Sequence, residues 1–423
     1  MSATSLCPGA LPVAAPLEQI PSLRSDFAWT LAGNLIYAAC QWGMVVAMAR
    51  ITTPTVVGQF SLGLAIAAPI FLLSNLNLRA VLATDSRAEF DFSDYLRLRL
   101  LTTAGALAVS LAVAFAGGYR IETARLIGLV GLCKAVESVS DLYYGLYQLR
   151  GRMRRIAISL VFRGVLSLGL LILILWMGGS PEAAVAGMGL VWLAVLLGYD
   201  SRETGPRTAG STAKFRTLQR IGMVSLPLGL TAMLLSFNTN IPRYFLEHGR
   251  SERDLGIYSA LAVVALAGGA VMNAICQAGM TRLATMYKDG RRDTFLILLA
   301  KLTGVGVLMG VLGVAAAAVI GRDLLFRLYK REYAEHSGVL TLLMISAAVN
   351  YLGSCFGTAI TAMRMFGVQM WIHGGVSVVT LACAWPLIHT WGLAGAAWAA
   401  VIASACAALS YGALTYGKLK AWR

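Results

Sequence analysis

Apolar runs of about 20 residues, broken by short polar stretches, recur along the whole chain. As a helix, a run of that length spans about 30 Å of hydrocarbon. Twelve can be placed, at 28–49, 59–78, 98–117, 123–147, 156–178, 182–199, 219–240, 256–280, 296–320, 337–361, 367–388 and 391–414. They predict an all-α polytopic membrane protein of about 12 transmembrane helices. Composition agrees: of 423 residues 58% are hydrophobic and only 13% charged, at a mean hydropathy of +0.71. A soluble core does not need that much apolar sequence.

The chain also resembles itself. Gly58-Gln59-Phe60-Ser61 opens span two, and Gly256-Ile257-Tyr258-Ser259 opens span eight. Gly145 and Arg152 at the end of span four recur as Gly357 and Arg364 at the end of span ten. Arg163-Gly164 with Ser167 in span five answers His373-Gly374 with Ser377 in span eleven, and Ala186-Gly187 answers Ala394-Gly395. Four matches in order, at similar offsets, argue for a six-plus-six duplication. Six spans return the chain to its starting side, so the halves are parallel repeats, expected to form two lobes around a central cleft. The division this predicts is a cytoplasmic tail at 1–27, a first bundle at 28–199, a linker at 200–218, a second bundle at 219–414 and a cytoplasmic tail at 415–423. The linker contains Gly205-Pro206 in a Ser/Thr/Gly mixture. The tail holds Pro8, Pro12, Pro16 and Pro21, with no basic residue before Arg24, which does not read as a cleavable signal peptide.

A formal charge of +15 raises nucleic acid as a partner, until its distribution is considered. With both termini cytoplasmic, most of the 35 Lys and Arg residues fall in cytoplasmic segments, richest at 148–155 and 200–220. That asymmetry is the positive-inside pattern of a multi-pass inner-membrane protein, with added attraction to anionic membrane lipids. Nucleic acid is excluded as a partner. The seven cysteines are scattered with no CxxC pair and read as packing residues, and the four histidines are isolated, so no metal and no cofactor is expected.

Span four breaks the apolar rule with Lys134, Glu137 and Asp141. At 100° per residue Lys134 and Asp141 project within about 20° of each other, and Glu137 within about 60° of Lys134. An ionised residue at midspan costs roughly 2.5–3.5 kcal/mol on insertion scales, so this face should avoid lipid. Lys134 and Glu137 can pair at i, i+3. Arg163, at similar depth on span five, is the expected partner of Asp141. The cluster either knits the first bundle together or serves substrate or proton in the cleft.

The runs GQFSLGLAIAAPIFLLSNLNLRAVLATD (58–85) and NIPRYFLEHGRSERDLGIYSA (240–260) resemble the polysaccharide and O-antigen flippases of the multidrug/oligosaccharidyl-lipid/polysaccharide exporter superfamily. The likeness runs from the first span to the last. It implies a V-shaped pair of six-helix bundles working by alternating access. It implies as substrate an undecaprenyl-pyrophosphate-linked sugar unit, flipped from the cytoplasmic to the outer leaflet, and other polysaccharide-assembly proteins as partners. A cation-coupled multidrug-type exporter of the same superfamily is the alternative. A membrane glycosyltransferase is disfavoured, because no long polar loop carries a paired-carboxylate motif; no enzyme activity is expected.

Candidate substrate contacts follow. Arg79 ends the polar stretch Ser74-Asn75-Leu76-Asn77-Leu78-Arg79 at the inner end of span two. Its guanidinium suits bidentate phosphate recognition, or it snorkels to headgroups. Asn75 and Asn77 flank it. Arg97 and Arg99 start span three without such a polar approach. Asn238, Asn240 and Arg243 close span seven, where amides either contact sugar hydroxyls or satisfy a helix end. Asn34, Gln41 and Trp42 in span one suit a cavity lining.

Overall fold

The computed structural model describes residues 23–85, 90–202 and 215–422. The segment 1–22 of the expected tail and 203–214 of the expected linker lie outside the described residues. Among the described residues there is no strand. In chain order the helices are α1 (Leu23–Ile51), α2 (Pro54–Asn75), α3 (Leu78–Thr84), α4 (Phe92–Ala116), α5 (Ile121–Leu149), α6 (Met153–Trp176) and α7 (Pro181–Gly198). There follow α8 (Phe215–Gly249), α9 (Glu252–Lys288), α10 (Arg292–Leu328), α11 (Arg331–Ala334), α12 (Ser337–Ala362) and α13 (Phe366–Ala421).

The starts of these helices are written locally. Pro54 and Pro181 sit in first turns, where a missing N–H costs nothing. The hydroxyls of Ser180 and Ser251 accept from the amides of Ala183 and Asp254, each at 3.1 Å. All four residues lie at one end of the bundle. The opposite end, with the turns after α5 and α7, is called the basic end below.

Among the described residues ten helices are long and apolar enough to cross a membrane. Two facts bring the number of crossings to the twelve expected. The charged α5 is not among the ten, and α13 is two spans joined at a break. At that break Gly392 has φ 56° and ψ −126°, a conformation open to glycine alone. The Arg250 guanidinium donates there to the carbonyls of Ile388 (3.4 Å) and His389 (2.9 Å), which lose helical partners at the bend. The surface is apolar on its outside: Trp176, Val319, Trp371 and Leu409 are each more than 70% exposed. Such side chains belong against lipid.

Helices α1–α7 and α8–α13 form two lobes that meet along α2, α8 and α9. Repeated glycines make the closest approach. A Cβ on Gly58 would fall 1.8 Å from the Glu252 carbonyl oxygen, and a Cβ on Gly256 would fall 1.8 Å from that of Pro54. Each glycine lies over the carbonyl four residues before the other, which is the reciprocity of a two-fold axis. The self-similarity of 58–61 and 256–259 is therefore a contact as well as a repeat. Around it one apolar core spans both lobes, joining Val57, Phe60 and Leu62 to Leu255, Ile257, Tyr258 and Leu261. Polar ties cross the same end. Gln59 Nε2 donates to Glu252 Oε2 (2.9 Å), the Thr123 hydroxyl donates to the same carboxylate, and Lys330 Nζ donates to the Thr52 carbonyl (2.9 Å).

Toward the basic end that shared core divides. Met272, Cys276, Phe295 and Leu299 pack within the second lobe, and Leu78, Leu82, Tyr95 and Leu142 pack within the first, joined there by Ile221 of α8. The lobes are closed on each other at the glycine end; toward the basic end their cores separate, while α8 stays against the end of α2, a Cβ on Gly229 falling 3.0 Å from the Leu73 carbonyl oxygen. Six cysteines are described and all are free. Cys276 and Cys355 lie in the same hydrophobic cluster of the second lobe.

Candidate functional site

The parting of the lobes exposes a cavity of about 460 Å³ on the first lobe. Its polar lining is Asn75, Asn77, Arg79, Lys134, Glu137, Ser138 and Asp141, and Ala232 of α8 also borders it. The three charges of α5 share this face, as their spacing predicts.

Three elements build it. Span two ends early because Leu76 (φ 49°) and Asn77 (φ 50°) are both left-handed. Two consecutive non-glycine residues there store roughly 1–2 kcal/mol each. The break separates α3 from α2 and brings the backbone of Arg79 against Gly145 of α5, where a Cβ would meet the Arg79 carbonyl oxygen at 3.0 Å. Arg79 is thereby held beside α5 instead of extending α2 toward the membrane surface. Its Nη1 donates to Asp141 Oδ1 at 3.3 Å, and its guanidinium carbon lies 5.6 Å from the Tyr144 ring centroid. The third element is α4. Arg99, fully buried, donates to the Asn75 side-chain oxygen and places Nη2 3.6 Å from Asp141 Oδ2. Ser138 donates to that same Asn75 oxygen.

Two expectations are corrected here. Asp141 does not pair with Arg163; its partners are Arg79 and Arg99. Equal depth on consecutive helices gives a height but no direction. α6 packs mainly on α1 and α7 and barely touches α5. Arg163, 1% exposed, meets a different residue of α5, donating to the Tyr144 hydroxyl at 3.1 Å, and stacks 4.5 Å from the Trp192 ring centroid. Nor is Arg99 an ordinary helix-start arginine. It lacks polar neighbours in sequence and acquires them from α2 and α5 in space.

The Lys134–Glu137 pair is present at 2.6 Å, and Glu137 also accepts from the Tyr37 hydroxyl at 3.4 Å. Gln41 donates to Tyr37 (2.8 Å), which ties one of the three span-one candidates to the cluster. The other two stand apart: Asn34 donates to the Thr30 carbonyl of its own helix, and Trp42 lies against Tyr329 near the lobe junction. Asn238 and Asn240 have both ends of their amides engaged inside the second lobe. Asn238 donates to the His373 carbonyl (3.1 Å) and accepts from Ser377 (2.5 Å). Asn240 donates to the Ser236 carbonyl (2.9 Å) and accepts from Arg243 (2.6 Å). These amides satisfy their own lobe. Sequence reasoning missed the roles of Arg99 and Ser138; one of two serines on α5, four residues after Lys134, is too common a pattern to single out.

The lining charges balance, Arg79 and Lys134 against Glu137 and Asp141, and the buried Arg99 behind Asp141 leaves the cluster as a whole with one excess positive charge. Each carboxylate is already held by a cation, Asp141 by two and Glu137 by one. Arg79 and Lys134 remain partly exposed and direct further donors into the space. No group of three or more His, Cys, Asp or Glu able to hold a metal occurs among the described residues.

No protein-family model matches the chain. A capsular polysaccharide biosynthesis protein, CapF of Staphylococcus aureus, is 28% identical over 398 residues, covering 91% of this chain and 97% of CapF. Among solved structures, an inward-facing multidrug resistance MATE family transporter of the MOP superfamily superposes with a TM-score of 0.69, at 14% identity, over 94% of this chain and 95% of that one. An outward-facing MATE transporter matches with a TM-score of 0.60, at 14% identity, over 95% of each chain. A MOP superfamily transporter from Pyrococcus furiosus, described by the reversed polarity of its binding pocket, gives 0.63 at 14% identity over 93% and 94%. The resemblance read from 58–85 and 240–260 is supported: this multi-pass membrane chain has the two-lobed fold of those transporters, and a protein similar to it in sequence over nearly its whole length is a capsular polysaccharide biosynthesis protein.

Proposed function

We propose that the protein is a flippase. It accepts a polyprenyl-pyrophosphate-linked oligosaccharide from the cytoplasmic leaflet and delivers it to the outer leaflet of the inner membrane by alternating access, for cell-surface polysaccharide synthesis. In this reading both termini and the basic end are cytoplasmic, so the arrangement of the lobes is the inward-open state. The bundles are 28–199 and 219–414, and the other machinery of polysaccharide assembly supplies and consumes the substrate.

The observation that carries the reading is the Arg79–Asp141–Arg99 arrangement at the mouth of the cleft. Asp141 occupies an anion position between two guanidinium groups. Arg99 is buried and fixed by Asn75, whereas Arg79 is partly exposed and its contact is long for a charged hydrogen bond. An entering pyrophosphate takes over the donors of Arg79 while Asp141 keeps Arg99. Exchange of one anion for another leaves no charge stranded in low dielectric, and the polyprenyl tail stays in lipid. Lys134 adds a second cation within the same cavity. The drug-exporter alternative needs a carboxylate free to take a cation or proton, and Glu137 and Asp141 are both paired.

The test is export of surface polysaccharide in a strain lacking its own O-unit flippase, normalised to membrane protein level. Arg79→Lys keeps the charge but loses the planar fork, so export falls more than abundance, and Arg79→Ala is worse again. Wild-type export by Arg79→Ala ends the assignment of Arg79 to phosphate.

A further inference from the structure

The second lobe carries its own polar cavity, of about 260 Å³, and its chemistry differs from that of the first. Its lining includes Asn273 and Gln277 of α9, Asn350 and Ser354 of α12, and Gln369 and His373 of α13, and no Asp, Glu, Lys or Arg. The residues come in pairs at i, i+4, so each helix turns a polar stripe to the same space. The side chains of Asn273, Gln277 and Asn350 are exposed and make no hydrogen bond to any described residue. By contrast Gln369 donates to the Thr361 hydroxyl (2.8 Å), and His373 Nε2 meets the Tyr411 hydroxyl (3.0 Å), forming a fixed floor beneath them.

Three unpaired carboxamides on membrane helices need an explanation. Against hydrocarbon each would leave two donors and an acceptor unmet, a steep desolvation penalty. They therefore face a wet space, and what they offer it is neutral. A carboxamide presents a donor and an acceptor side by side, which complements the vicinal hydroxyls of a sugar and gives a phosphate nothing that Arg79 does not give better.

The two cavities adjoin. Ala232 of α8 lines the charged one and Leu235 lines the neutral one, three residues apart, or about 4.5 Å of helix rise. We infer that the lobes divide the headgroup between them: Asn273, Gln277 and Asn350 form a subsite for the neutral, hydroxyl-rich sugars, next to the pyrophosphate site of the first lobe. The inference rests on the flippase reading and adds a second site to it, made of residues outside the charge cluster.

The experiment measures affinity of the full chain in nanodiscs for two probes, a short-chain prenyl pyrophosphate and the same lipid carrying a neutral hexose oligosaccharide. The wild type is expected to bind the glycosylated probe at least tenfold more tightly. The triple variant Asn273→Leu, Gln277→Leu, Asn350→Leu, whose apolar side chains suit a membrane helix, loses that tenfold while keeping the wild-type affinity for prenyl pyrophosphate. That retained affinity reports that the variant is folded. Arg79→Ala weakens both probes. Equal wild-type affinity for the two probes, or a triple variant that still prefers the glycosylated one, overturns the sugar subsite and leaves the pyrophosphate site standing. Failure of the wild type to bind either probe overturns both.

Discussion

Asp141→Asn is the substitution the charge cluster constrains most tightly. Asp141 is the acidic partner of two arginines, one of them fully buried. Nη1 of Arg99 is held by Asn75, but its Nε and Nη2 have no hydrogen-bond partner among the described residues. Removing the carboxylate leaves that guanidinium charged, with nothing of opposite sign nearby. Breaking a buried pair from one side costs about 3–5 kcal/mol. Asp141 and Arg79 are both partly solvated, which lowers the share due to Arg79, so about 2–3 kcal/mol is expected in all. For a cooperative unit the size of one lobe, that is a fall in Tm of roughly 5–10 °C. The assay is thermal unfolding of purified protein in detergent, for the single variant and two doubles. Adding Arg99→Gln to Asp141→Asn recovers most of the loss, because it removes the stranded charge. Adding Arg163→Met does not. Recovery with Arg163→Met, or no loss in Asp141→Asn alone, refutes the assignment of partners.

Cysteines replacing Gly151 and Ser251 are expected to react with membrane-impermeant reagents from opposite sides, Gly151→Cys only from the cytoplasm; labelling of both from outside removes the proposed orientation. Gly256→Ala puts a methyl where 1.8 Å separates it from the Pro54 carbonyl oxygen, so the glycine end must open by more than an ångström. At an overpacking cost of roughly 1–3 kcal/mol, the closed glycine end loses population by about 5- to 150-fold, read as longer spin-label distances between Thr52→Cys and Lys330→Cys; an unchanged distance distribution contradicts it. Gly392→Ala forces a side chain into left-handed backbone and is expected to lower stability by about 1 kcal/mol without moving the export rate per molecule.

Much of the architecture was legible because membranes impose strict rules on sequence. The twelve spans follow from run length, and the repeat from Gly58 and Gly256, whose meeting on a shared axis is the strongest sign that the duplication is structural. The Lys134–Glu137 pair followed from helical spacing alone. What was hidden depended on azimuth and on backbone breaks. No periodicity says that α6 packs mainly on α1 and α7 and meets α5 only briefly, so Arg163 was assigned to Asp141 when its partner on α5 is Tyr144. The left-handed pair Leu76–Asn77 carries no glycine to announce it, so span two read as continuous and the placement of Arg79 against Gly145 could not be foreseen. Asn238 and Asn240 drew attention because amides in a membrane stand out, yet their partners were in their own lobe. Asn273 and Gln277, at the same i, i+4 spacing that marks any helical face, were equally visible and were passed over.

Flipping itself is the most direct test. Full-length protein reconstituted in proteoliposomes with a fluorescent polyprenyl-pyrophosphate-linked oligosaccharide should move the label between leaflets, read as loss of protection from an external quencher. The wild type is expected to accelerate that movement over protein-free vesicles, and Arg79→Ala to abolish most of the acceleration at equal protein content. Movement no faster than in protein-free vesicles, with protein confirmed folded by its unfolding transition, would contradict the account.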